Sequence, residues 1–265
     1  MNAIRFFGLF VKPRLTRGKG MWNPLPTQAL FDDVFCLRDK DANCFLIKGD
    51  QGYLAIDSGY ENSRNTAEGL KRLGIDPEQV SDVFLTHLDI DHAGGVCAGS
   101  RALYPKAKIH LSAQEEKYLT GACSRKTIAG HACRLPIALP HYEIFTPGEE
   151  LWADGVSVLP IAVPGHTLGH TAFLVKGCYL FSGDCIIANE EGGWLFFDFW
   201  NQDPALNRKS VQELRDGALR APYVLTAHSG CLSWEEAFRH ADRSLDWKKK
   251  GFVFCRTAPK DPYHS

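Results

Sequence analysis

The sequence predicts an α/β protein of two sheets packed face to face with helices outside. Two observations predict it. Short apolar runs bounded by Gly, Asn, Asp and Ser dominate both halves of the chain, and helical patterns follow them. The 265 residues, 45% hydrophobic and 23% charged, suffice for one large core.

The elements follow in order. Residues 1–33 read as an irregular arm with Gly18, Gly20, Pro24 and Pro26. Cys44 to Lys48 and Tyr53 to Ile56 read as strands joined by the hairpin turn Gly49-Asp50-Gln51-Gly52. After Asp57-Ser58-Gly59, a helix is expected from Asn62 to Leu73, stopped by Gly74. Val83 to Leu85 and Lys108 to Leu111 read as strands. The second leads into a helix capped by Ser112, with Glu115 completing a capping box. Residues 121–148 lack periodicity and read as an inserted loop. Val156 to Val163 is a strand, and Thr171 to Val175 and Cys178 to Phe181 form a second hairpin. Asp203 to Arg220 reads as a helix, Tyr223 to Thr226 as a strand and Ser233 to Lys249 as a last helix, with Ser233 and Glu236 as its capping box.

These readings divide the chain into an arm (1–33), a single domain (34–250) and a tail (251–265). The net charge of -1 argues against nucleic acid as an obligatory partner. The nine cysteines form no Cys-x-x-Cys pair, which argues against a cysteine zinc site and suits reduced thiols. The apolar patch Phe6 to Val11 is short for a signal sequence, and no run approaches the roughly 20 apolar residues of a membrane span. A cytoplasmic protein without a membrane partner is expected.

Four segments share one pattern, a short apolar strand followed by a metal-ligand residue type. They are Leu85-Thr86-His87-Leu88-Asp89-Ile90-Asp91-His92, Val163-Pro164-Gly165-His166, Phe181-Ser182-Gly183-Asp184 and Leu225-Thr226-Ala227-His228. Ligands at strand ends are held by the sheet and face the loops where a pocket forms. Any one segment alone reads as a turn or cap. Two His and two Asp within six residues, with three further hits at strand ends, point to a metal centre. Imidazole and carboxylate are ligands that zinc, iron and manganese share.

These residues resemble the metallo-β-lactamase superfamily, whose signature is His-x-His-x-Asp-His followed by a distant His, an Asp and a last His. Asn43-Cys44-Phe45-Leu46-Ile47, Ile56-Asp57-Ser58-Gly59 and Pro164-Gly165-His166-Thr167-Leu168-Gly169-His170 are also similar to its landmarks, over roughly residues 34–232. The resemblance implies a four-layer αββα sandwich with the site at one edge of the sheets. It implies two divalent ions, zinc first and iron or manganese as alternatives. One would take His87, Asp89 and His166, the other Asp91, His92 and His228, with Asp184 bridging and Asp57 orienting the ligands. Asp89 stands where the family has its second His. A carboxylate there is a harder ligand that favours iron or manganese more than imidazole does, or it leaves the first site weak with one ion bound.

The function expected is hydrolysis of a small ester, lactone or thioester by metal-activated hydroxide, as in the lactonase and glyoxalase-II-like branches. Non-haem iron redox chemistry, phosphodiester hydrolysis and metal binding without catalysis are the alternatives. Asp91 or metal-bound water is the candidate proton carrier, because Ile187 stands where the family's lactonases tend to carry Tyr. His170, Trp194 and Phe196 are candidate substrate contacts, with Trp22 and Phe31 as possible pocket covers. Core packing is the competing reading for the aromatic run 194–200, and a His packed under the loop for His170. His110, His131, His141, His240 and His264 have no ligand-like context.

Overall fold

The computed structural model describes residues 3–16, 23–99, 101–126 and 130–245. Its N-terminal residues are helical, α1 (Ala3–Phe6) and α2 (Lys12–Thr16) with a wider π turn between them, where the sequence reads as irregular. Leu9 anchors this arm in the core cluster that holds Ile90, so tertiary packing orders a segment with little periodicity of its own.

The strands β1 (Gln28–Ala29), β2 (Val34–Asp39), β3 (Ala42–Lys48) and β4 (Tyr53–Ile56) pair antiparallel in sequence. The helix α3 (Arg64–Leu73) ends at Gly74, whose left-handed φ of 70° an L side chain would resist. Strand β5 (Val80–Phe84), the one-turn helix α4 (Ile90–Ala93), strand β6 (Lys108–Ser112) and helix α5 (Ala113–Thr120) follow. The segment 121–148 is not all loop. It holds a small hairpin, β7 (Arg125–Lys126) with β8 (Ala132–Cys133), and then β9 (Glu143–Phe145), which pairs parallel with β6. The first sheet therefore runs β1-β2-β3-β4-β5-β6-β9.

The second half contributes β10 (Leu151–Ala153), β11 (Val156–Ala162), β12 (Thr171–Val175) and β13 (Tyr179–Phe181), then β14 (Ile186–Asn189) and β15 (Gly192–Leu195). Helix α6 (Pro204–Asp216), strands β16 (Tyr223–Leu225) and β17 (Cys231–Leu232), helix α7 (Trp234–Ala237) and strand β18 (His240–Ser244) complete it. The second sheet runs β10-β11-β12-β13-β16-β17, and β14-β15-β18 form a third. The capping box of Ser233 and Glu236 starts α7 as expected. The helix lasts one turn, however, because residues 240–244 pair with β15 instead. The remainder of the expected helix, like residues 251–265, lies outside the described residues.

Phe45, Ile47, Leu54, Ile56 and Phe84 of the first sheet meet Val158, Phe173, Val175, Phe181 and Leu225 of the second in one core. The alternate residues Leu46, Ala55 and Val83 pack outward with Leu70 of α3 and Tyr118 of α5. Leu174, Leu180 and Val224 pack outward with Val211 and Leu214 of α6 and Trp234 of α7. Strands buried on both faces read as nearly continuous apolar runs, which these do. The result is a single-domain αββα sandwich. No helix among the described residues is long and apolar enough to cross a membrane.

Candidate metal centre

The site forms where β5, β11, β13 and β16 end together. His87, Asp89, Asp91 and His92 follow β5, His166 follows β11, Asp184 follows β13 and His228 follows β16. The turns are locked from behind. Asn43 on β3 donates its amide to the carbonyls of Thr226 and Ser229, fixing the His228 loop at 2.9 Å each. Glu115 accepts from Leu88 N (2.9 Å), Thr167 Oγ1 (2.8 Å) and Gly169 N (3.2 Å), tying the β5 turn to the β11 turn. The sequence placed Glu115 in a capping box. Only the Ser112 half is made, with Ser112 Oγ accepting from Glu115 N, because the carboxylate is used by these loops. Gly165 packs on the start of α6, where a Cβ would lie 2.1 Å from Asn207 N.

The imidazoles all point one way, and their partners fix which nitrogen carries the proton. Thr86 Oγ1 has one hydrogen and gives it to Asp57 (2.8 Å), so it accepts from His87 Nδ1 at 2.9 Å. His92 Nδ1 donates to Asp57 Oδ2 (2.8 Å), His228 Nδ1 to Asp41 O (2.6 Å) and His166 Nδ1 to Asn201 Oδ1 (3.1 Å). The four Nε2 atoms are thereby turned inward. Asp57 sits at a left-handed φ of 60° and also accepts from Thr86 N, so it serves both the turn and two histidines.

The donor atoms fit a metal ion. His87, Asp89 and His166 offer ligand atoms within 4.8 Å of one another, as do Asp91, His92 and His228, and His87, His92 and Asp184. His87 Nε2, His92 Nε2, Asp91 Oδ1 and Asp184 Oδ1 are buried and make no hydrogen bond. Buried polar atoms without hydrogen bonds are costly, and these four belong to two overlapping groups, His87 with His92 and Asp184, and Asp91 with His92 and His228, which call for a cation. The electrostatics agree. Burial alone would lower the pKa of His92 and His228, but Asp184 beside both raises them above the ordinary histidine value. Asp184 itself is held well below the usual carboxylate range, against burial, by His228 and His92.

Two cations reach this cluster from segments that the sequence reading set aside. Lys12 of α2 pairs with Asp91 Oδ2. Burial pushes its ammonium down, yet Asp91, Asp41 and Asp184 hold it above its ordinary pKa. Asp91 is correspondingly held below the carboxylate range, so the proton of this pair sits on Lys12 and not on the expected carrier. Arg125 of β7 grips Asp89 with two bonds, Nε to Oδ1 (3.1 Å) and Nη2 to Oδ2 (2.9 Å). No sequence pattern marks either cation, since the arm and the 121–148 segment carry no periodicity that fixes where their side chains point.

The remaining candidates divide. Phe196 packs its ring 5.0 Å from His166 and 5.8 Å from His228, so it walls the cluster. Trp194 stacks on His240 at 3.9 Å and donates to Asn189 Oδ1 (2.9 Å). His170 is fully buried, as a His packed under the loop would be. Its Nδ1 donates to Val163 O (3.2 Å) and its Nε2 accepts from Asp184 N (2.9 Å), so it orients the Asp184 turn. Phe31 packs on Tyr179 and Tyr223, the first residues of β13 and β16, at the opposite strand ends from the site. Trp22 and His264 lie outside the described residues. His110 stacks on Phe84 at 4.5 Å and bonds Asp82.

A family model described as the metallo-β-lactamase superfamily matches residues 37–228. A probable metallo-hydrolase from Mycobacterium bovis is 24% identical over 221 residues, covering 71% of this chain and 63% of the relative. The chain thus spans less than two thirds of that relative's length. An N-acyl homoserine lactonase from a Bacillus species is 26% identical, over 76% of this chain and 88% of its own. A hydroxyacylglutathione hydrolase from Serratia proteamaculans is 32% identical over 56% of this chain and 49% of its own. Among solved structures, a B3 metallo-β-lactamase described as having an active-site glutamic acid superposes with a TM-score of 0.60 at 20% identity, over 86% of each chain.

Proposed function

Because the chain belongs to the metallo-β-lactamase superfamily, we propose that it is a metal-dependent hydrolase of a small ester, lactone or thioester. The observation that carries this reading is a set of four buried donor atoms without hydrogen bonds, on His87, His92, Asp91 and Asp184, within overlapping groups of metal-ligand residues. A lactonase and a hydroxyacylglutathione hydrolase among the relatives support an acyl substrate. A divalent ion bound there supplies Lewis acidity toward a carbonyl oxygen and makes water nucleophilic near neutral pH.

The chain's own residues do the rest. His92, His228, Asp91 and Asp184 would hold the ion, and Asp57 keeps the proton of His92 on Nδ1 so that Nε2 could ligate. Phe196 covers two imidazoles and keeps bulk water off them. The Lys12 ammonium is held against Asp91, while Ile187 is buried with Trp194 and Phe196 and carries no proton. Asp89 was the argument for a harder ion and for iron chemistry. Its charge is already matched by Arg125, which favours zinc and hydrolysis.

The test is a panel of a lactone, a thioester, an aryl ester and a phosphodiester, assayed with zinc-loaded and chelated protein. Zinc-dependent turnover of at least one of the three acyl substrates, lost in Asp184→Ala, is expected. Equal rates with and without metal, or turnover of the phosphodiester alone, would contradict the proposal.

A further inference from the structure

We infer that the guanidinium of Arg125 occupies the place of the first ion, so that the protein holds one divalent ion, at Asp91, His92, Asp184 and His228. This rests on the metal-dependent reading above and deepens it.

The first site, made of His87, Asp89 and His166, is already closed. Arg125 takes both oxygens of Asp89. It also lies against His166. The Nδ1 of that ring donates to Asn201 Oδ1, and the Asn201 amide is oriented by its bond from Nδ2 to Phe196 O (3.3 Å). His166 Nε2 therefore has only a lone pair. The two hydrogens of Arg125 Nη2 go to Asp89 Oδ2 and Trp200 O, both at 2.9 Å, and this nitrogen lies 3.2 Å from His166 Nε2. A guanidinium charge that close to the ring repels a second cation between Asp89 and His166. Of the three donors, His87 Nε2 alone remains unengaged.

The second site is different. Lys12 takes only Oδ2 of Asp91, and Oδ1 remains buried without a hydrogen bond. His92 Nε2 is also unengaged. Asp184 is the one carboxylate of the ligand set with no lysine or arginine ion pair among the described residues, and its charged-group neighbours are the imidazoles of His92, His166 and His228. Asp89 and Asp91 already have such a pair.

Arg125 is held in place by its own segment. Its Nη2 also donates to Trp200 O at 2.9 Å. Lys126 N donates to Gln202 Oε1 (2.9 Å), Lys126 Nζ to Gln202 O (3.0 Å) and Gln202 Nε2 to Ser124 O (3.1 Å). Gln202 N in turn donates to His166 O at 2.9 Å, which ties the Arg125 segment to the ligand loop. A charged side chain this deeply buried is retained where it is paired, and here its ion-pair partner is Asp89.

The test is zinc stoichiometry. Full-length protein is stripped with chelator, titrated with zinc chloride by calorimetry and assayed for metal content after dialysis. One zinc per wild-type chain is expected, and two per chain in Arg125→Met. Arg125→Gln is a second variant should the first fail to fold. Two tightly held ions in the wild type would overturn the inference and leave the metallo-hydrolase reading standing. One ion in both the wild type and the folded variant would remove Arg125 as the reason. No zinc in the wild type would sink both.

Discussion

At the scale of single residues, the centre depends on groups that touch no ligand-binding lone pair themselves. Asp57 accepts from Thr86 N, Thr86 Oγ1 and His92 Nδ1. Asp57→Asn keeps a residue that tolerates its left-handed backbone but loses the charge and one acceptor. Zinc binding should weaken by about 10–100-fold, read by competition with a chromophoric chelator. Unchanged affinity would mean that the His92 orientation is fixed by packing alone. His87, Asp91, His92, His166, Asp184 and His228 were legible because strand ends followed by ligand residue types are a pattern in one dimension. Lys12 and Arg125 were not. Each reaches its carboxylate across 79 and 36 residues respectively, and no spacing rule encodes such a meeting.

At the scale of elements, hairpin turns and helix caps were readable, since Gly74, Ser112 and Ser233 act through their nearest neighbours. What was lost depended on distant partners. The helix expected from Ser233 stops after one turn because β15 supplies a partner for residues 240–244. Within the first sheet, β5 and β6 are joined by more than their ladder. Asp82 Oδ1 accepts from His110 Nε2 at 2.7 Å. Burial pushes the Asp82 carboxyl up, but His110 and Ser81 outweigh it and hold it below the usual value. A lowered carboxyl stabilises the fold above its unfolded pKa of about 4, and that stabilisation is lost as pH falls through the lowered value. Asp82→Asn should therefore cost about 0.5–1 kcal/mol at pH 7, after allowance for solvent screening. That is a Tm about 1–4 °C lower. Thermal melts across pH should show the gap closing below about pH 4. A gap that persists undiminished to lower pH would show that the asparagine acts through packing.

At the scale of the whole molecule, two sheets buried on both faces bring the ends of β5, β11, β13 and β16 to one edge, and every proposed ligand follows one of those ends. The fold was readable because both-face burial leaves continuous apolar runs in the sequence. The number of ions was not, because it is set by cations delivered from the N-terminal arm and the β7 segment. The central claim is a metal centre on this donor set, and anomalous diffraction from zinc-soaked crystals tests it most directly. An anomalous peak is expected at the zinc edge about 2.0–2.2 Å from His92 Nε2, His228 Nε2 and an oxygen of Asp184. A map with no peak among these residues, in crystals grown with zinc, would contradict it.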